Sequence, residues 1–175
     1  LAMRQAARAA ASVLVLDPRP VALPMPFRHF PLLPQEIGPA FEAALSSANY
    51  DPYDGIGAYK KYGYVPEDLS GNSASKTLEY AYDDWTISRF ASALGRRAEA
   101  AEFRERASYY KNLFDEKTGF MRAKNSDGSW KIPFDPLSTS DQGYIEGNAW
   151  NYSLYVPHDV AGLIGLLGGR ERLVS

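Results

Sequence analysis

Residues 75–94 place apolar side chains round most of a helix, with Leu78, Tyr82 and Trp85 on one side and Tyr80, Ile87, Ala91 and Leu94 on the other. A helix apolar on several sides is buried between neighbours, so the chain must fold as a packed set of helices. Ser73 or Ser75 can cap it, Glu79 lies in its first turns where a carboxylate is favoured, and Gly95 ends it.

The segments around it read as its packing partners. Residues 36–48 put Ile37, Phe41, Ala44 and Leu45 on one helical face, and Tyr59, Tyr62 and Tyr64 fill a short aromatic segment closed by Pro66. Residues 97–114 are amphipathic: Ala98, Ala101, Phe103, Ala107, Tyr110 and Phe114 alternate with Glu99, Glu102, Arg104, Glu105, Arg106 and Lys111. That pattern predicts a surface helix with a solvated charged face.

Residues 115–119 read as a turn. Asn125-Ser126-Asp127-Gly128, between Phe120-Met121-Arg122 and Trp130-Lys131-Ile132, predicts a hairpin. After a loop over 133–142, a helix is expected from near Glu146, pausing at Val156-Pro157-His158-Asp159 and resuming to residue 167. The fold class is all-α with one small hairpin.

The N-terminal residues are different. Residues 1–16 read as a short helix or an imperfect imitation of a signal peptide, because the apolar run 9–16 meets Asp17-Pro18 without a small-residue cleavage pattern. Prolines at 18, 20, 24, 26, 31 and 34 then remove amide donors and clash with helix, which makes an extended linker. Residues 1–34 are therefore an unplaced segment and Pro-rich linker, and 35–175 the folded part.

Composition excludes several functions. A net charge of −2 leaves no electrostatic footprint for nucleic acid, and no helix pairs a basic face with an apolar one for a membrane surface. The absence of cysteine removes a disulfide scaffold, a thiolate metal site and a cysteine nucleophile, and two histidines do not make a multi-histidine centre. There is no Gly-rich phosphate loop, G-x-S-x-G elbow or H-E-x-x-H string. The 12 Tyr and 3 Trp fit either sugar stacking or an aromatic core, so the count alone decides nothing.

Four strings combine aromatic residues, carboxylates and glycine in order. They are Tyr62-Gly63-Tyr64-Val65-Pro66, then Ser75-Lys76-Thr77-Leu78-Glu79-Tyr80-Ala81-Tyr82-Asp83-Asp84-Trp85, then Glu146-Gly147-Asn148-Ala149-Trp150-Asn151-Tyr152, then Val156-Pro157-His158-Asp159-Val160. In these strings the chain resembles glycoside hydrolase family 92, over residues 43–169. Asn151 departs from the glutamine usual at its position.

The resemblance implies a partial (α/α)6 toroid of the six-hairpin glycosidase kind over residues 35–175. It implies an exo-acting, inverting α-mannosidase that uses calcium and acts on mannose-containing glycans. A β-sandwich domain and the rest of the helical domain would be further partners, and secretion or a periplasmic location is what such a family suggests. Inversion needs an acid and a base about 6.5–9.5 Å apart. Glu146, in the family's E-G-N-A-W string, is the candidate acid, and a carboxyl against the Trp150 face in a dry cleft would have its pKa raised. The other reading of Glu146 is a cap on the following helix. No string here matches the base or the calcium ligands.

Asp83 and Asp84 point about 100° apart on a helix, so they cannot both face one ligand. Asp84 is the candidate substrate contact of the pair; alternatively both pair with arginine or orient loops. Trp150 either stacks on sugar or packs the core, and Asn148 either binds sugar hydroxyls or turns the chain. His158-Asp159 reads as a helix start with Asp159 as its cap. The rival functional reading is a non-catalytic carbohydrate-binding or assembly fragment that lacks the base. A partial toroid would leave a buried-type helix such as 75–94 presenting an apolar patch.

Overall fold

The computed structural model describes residues 34–173, so the expectations for residues 1–33 lie outside the described residues. Helix α1 runs Pro34–Ala48, α2 Ile56–Tyr62, α3 Ser73–Ala93 and α4 Arg97–Arg106. A 3-10 turn, Tyr109–Leu113, leads into strands β1 Phe114–Asp115 and β2 Phe120–Met121. Three short helices complete the order: α5 Ala149–Tyr152, α6 Val160–Leu166 and α7 Arg170–Leu173.

Helix α3 is the axis of the packing, as its all-round apolar pattern requires. Its C-terminal half buries Ile87, Phe90 and Ala91 against Phe41, Ala44 and Ala48 of α1 and Ala100 and Phe103 of α4. Phe41 meets Phe90 edge-on, with ring centroids 5.1 Å apart. Its N-terminal half buries Leu78 and Ala81 against Tyr110, Leu113, Met121, Tyr144, Ala149, Val156 and Leu163. A third cluster joins Ile56 and Tyr59 of α2 to Val65 and Tyr80. The helix thus finds its partners within the chain; Leu94 at its C-terminal cap is exposed, and Trp150, Leu154, Tyr155 and Val160 are exposed on and after α5.

The start of α3 is not capped by a serine. Asn72 holds the cap position without a side-chain bond. The orphan amides of the first turn are taken from outside: Glu67 Oε2 accepts from Ser73 N–H at 3.0 Å, and the Gly143 carbonyl accepts from Ala74 and Ser75 N–H at 3.0 and 3.2 Å.

The second amphipathic helix stops at Arg106, short of the expected residue 114. Side chains from other elements claim its last carbonyls: Tyr59 Oη donates to Arg106 O at 3.0 Å, and His158 Nε2 lies 2.9 Å from Ala107 O. Arg106 is a correction to the solvated-face reading, because it turns inward and is buried.

The ladder also sits one turn earlier than predicted. Asp115 to Gly119 forms the turn of an antiparallel pair, with Phe114 opposite Met121 and Asp115 opposite Phe120. The predicted Asp127-Gly128 hairpin exists only as a single bridge between Lys124 and Trp130, with Asn125 N–H donating to Ser129 O at 2.8 Å.

Candidate functional site

A glycine and a docked stretch of loop determine where Glu146 stands. Gly143 has φ +86°, and a Cβ there would lie 2.5 Å from Ala123 Cβ, so only glycine fits. This close approach lets the Gly143 carbonyl reach the first turn of α3. Tyr144 is buried and donates from its hydroxyl to Met121 O. Ile145 N–H then donates to Ser75 Oγ at 2.9 Å, and Ile145 O accepts from Tyr152 Oη at 2.8 Å. The next residue, Glu146, is exposed and has φ +51°.

A left-handed conformation in a residue that is neither glycine nor asparagine costs on the order of 1–3 kcal/mol and persists where the surroundings over-determine it. Such strain clusters at functional positions. Glu146 is not the helix cap, so the capping alternative falls away. Asn148 caps α5 instead: its side chain accepts from Trp150 and Asn151 N–H at 3.1 and 3.2 Å, and Asn151 Oδ1 closes the box on Asn148 N–H. Asn148 Nδ2 also donates to Leu137 O at 3.4 Å, tying the loop before it to the same rim.

Trp150, at the first turn of α5, is 57% exposed and rests edge-on against Phe120, with centroids 5.0 Å apart. Phe120 in turn meets Phe134 at 5.9 Å. Glu146, Asn148 and Trp150 fall within five residues of chain at the start of α5, with Glu146 and Trp150 exposed and Asn148 half-buried, and this stretch is the candidate rim. The rim is apolar, hydrogen-bonding and anionic at once, which is the chemistry that a sugar needs.

Asp84 is not on that rim. It is 2% exposed, beneath α4, where Arg106 donates from Nε to Oδ2 at 3.1 Å and pairs through Nη2 with Oδ1 at 2.9 Å. Tyr59 Oη adds a third bond at 2.8 Å, while Arg106 Nη2 also donates to Ala48 O and Nη1 donates to Asn49 Oδ1. Burial pushes the Asp84 carboxyl up, while Arg106 and the Tyr59 hydroxyl hold it down. Its neighbour Asp83 is half-buried, and burial first, then the charges of Asp84 and Glu79, raise its pKa to about 7. Of the two aspartates, Asp83 is the one with access to solvent.

His158 lies among Tyr82, Trp85 and Tyr110, 5.5 Å from the last ring, and burial lowers its pKa. Asp159 caps α6 by accepting from Gly162 N–H at 2.9 Å, as its position after His158 predicts. Among the described residues, no group of three or more His, Asp or Glu could hold a metal ion. No helix among them is long and apolar enough to cross a membrane.

Sequence reasoning named Glu146, Asn148 and Trp150 but missed what supports them. Ser75 was legible only as a helix cap and Tyr152 only as a motif letter; the contacts they make span 70 and 7 residues of sequence.

Solved structures share this fold. A family 92 α-mannosidase from Bacteroides thetaiotaomicron matches 98% of this chain at 33% identity with a TM-score of 0.80, using 20% of its own chain. An inverting mannosidase of the same family, from strain VPI-5482 of that organism, matches 79% at 35% identity and TM-score 0.74, again over 20% of its length. A protein of Arthroderma benhamiae described as a secreted glycosidase is 27% identical over 78% of this chain and 22% of its own. The chain thus spans about a fifth of the length of these relatives. Its all-α fold with one small ladder agrees with part of an (α/α)6 toroid, and the class it defines is the helical catalytic domain of a glycoside hydrolase. Residues 33–175 match the glycosyl hydrolase family 92 catalytic domain, and the chain belongs to that family.

Proposed function

We propose that this chain supplies one wall and the general acid of an inverting, exo-acting α-mannosidase that removes terminal α-linked mannose from glycans. The observation that carries the reading is Glu146: an exposed carboxylate at φ +51°, two residues before the cap Asn148 and four before the exposed Trp150. The names of the solved relatives, α-mannosidase and inverting mannosidase, support the sugar and the stereochemistry. So does a structure of such an α-mannosidase in complex with mannoimidazole, 32% identical to this chain.

In this reading Glu146 protonates the leaving oxygen while a second carboxylate activates water on the opposite face of the sugar. Trp150 offers an apolar face to a sugar ring, and the Asn148 amide holds the rim in register. The base comes from the rest of the helical domain, beyond the residues described, and a β-sandwich domain is a further partner. The calcium of this reading draws its ligands from outside the described residues. Secretion or a periplasmic location goes with the same proposal.

The test is release of mannose from a 4-nitrophenyl α-mannoside or an α-mannobiose by the complete catalytic domain that contains this chain and by its Glu146→Gln variant, with calcium and with chelator. The anomer first released is read by NMR. Loss of release in the variant, with β-mannose first from the unaltered protein, is the expected result. Release undiminished in the variant removes Glu146 as the acid. Mannoside binding without release, in both, favours the non-catalytic carbohydrate-binding fragment.

A further inference from the structure

A strained backbone at the rim needs a frame, and two side chains from different elements provide it. Tyr152 touches the chain on both sides of Glu146. Its hydroxyl donates at 2.8 Å to Ile145 O, which belongs to the peptide joining Ile145 to Glu146. Its ring lies against Gly147, where a Cβ would meet Tyr152 Cε2 at 3.0 Å. The ring is itself fixed, stacked on buried Tyr144 at 5.6 Å with 17° between the planes.

Ser75, fully buried in α3, makes the second half of the frame. Its N–H donates to Gly143 O at 3.2 Å and its Oγ accepts from Ile145 N–H at 2.9 Å. Both backbone polar groups of Ile145 are therefore bound by side chains, one on α3 and one on α5. The residue after it has little choice of backbone angle.

We propose that Tyr152 and Ser75 are positioning residues: they hold the peptide before Glu146 and so aim its carboxylate, a role that rests on the reading of Glu146 as the acid. A carboxyl aimed by two fixed hydrogen bonds is preorganised, and small misplacements of a reacting group lower rates steeply. A helix clamp with no bearing on the reaction would show in folding stability and leave turnover alone.

Tyr152→Phe keeps the ring, its stack and its contact with Gly147, and deletes only the hydroxyl. Its kcat on the 4-nitrophenyl α-mannoside falls about tenfold or more with KM within about twofold, while the unfolding midpoint barely moves. Ser75→Ala makes the Ile145 amide exchange its hydrogen about tenfold faster or more, relative to amides elsewhere in α3. Unchanged exchange at Ile145 in Ser75→Ala overturns the frame, and so does unchanged kcat in Tyr152→Phe where Glu146→Gln is inactive. Exchange is read whether or not a mannoside is hydrolysed. An active Glu146→Gln beside a perturbed Ile145 therefore sinks the acid assignment and leaves the frame standing.

Discussion

Asp84 and Glu146 carry the same functional group in opposite settings, and the contrast separates what holds this molecule together from what it exposes for use. Asp84 is sealed beneath α4, with both carboxylate oxygens held by Arg106 and one also by Tyr59, on an ordinary helical backbone. Glu146 is open to solvent, and its backbone is held in a conformation that its residue type disfavours. In the first case the environment adapts to satisfy the charge. In the second the chain tolerates strain to present it.

The sharpest way to break this contrast is to remove Asp84. Asp84→Ala takes from the buried Arg106 guanidinium its closest carboxylate and leaves Tyr59 Oη only the Arg106 carbonyl, and breaking such a buried pair costs about 3–5 kcal/mol. Urea unfolding of the chain followed by circular dichroism gives the number. Glu146→Ala in the same assay is expected to stay within about 0.5 kcal/mol of the unaltered protein, as exposed substitutions do. Equal losses in the two variants would erase the distinction between a structural and a presented carboxylate.

Asp83 lies between these extremes and sharpens the comparison through pH. Its pKa in the folded chain, about 7, exceeds that of an unfolded aspartate because burial and the charges of Asp84 and Glu79 disfavour ionisation. The folded state therefore holds this proton more tightly than the unfolded chain does. The stability this contributes is complete below about pH 4 and is lost as pH rises through about 7. Asp83→Asn keeps a neutral side chain at every pH, so it matches the unaltered protein at pH 4. At pH 8 it is expected to be more stable, by about 2 kcal/mol after allowing for partial exposure. A difference that does not depend on pH would mean that Asp83 is not held against its charge. The measurement is the unfolding midpoint of both proteins across that range.

The elements were legible where periodicity and local capping decide them, and illegible where a distant group decides. The all-round apolar pattern of α3 was enough to predict a helix buried among others. Asp159 as a cap needed only its own neighbours. Arg106 was misread because its charge and spacing belong to a solvated face; Asp84, on another helix, turns it inward. The start of α3 was misread for the same reason, since Glu67 and Gly143 supply what a capping serine would have. At the site, the motif strings named Glu146, Asn148 and Trp150. Their partition was not legible, because a positive φ at a glutamate leaves no trace in composition or spacing. Asp83 and Asp84 were distinguishable in principle by their different helical faces, but which face met an arginine was a question of packing.

Trp150 is the smallest test and the most discriminating for the rim. A tryptophan that packed the core would cost about 3–5 kcal/mol when cut to alanine. Here the ring is 57% exposed and keeps one edge-on contact, with Phe120. Such a contact is worth about 0.5–1.5 kcal/mol, so Trp150→Ala is expected to lower stability by no more than about 1.5 kcal/mol. Leaving so large an apolar face in water is unfavourable to the folded chain, which makes sense if a sugar or another wall of the domain covers it. Affinity for α-mannobiose should then fall about tenfold in Trp150→Ala, equivalent to about 1.4 kcal/mol, in calorimetry on the protein and the variant side by side. If stability falls by 3 kcal/mol or more and affinity holds (roughly the loss of a core aromatic), Trp150 belongs with Asp84 among the residues that build the fold.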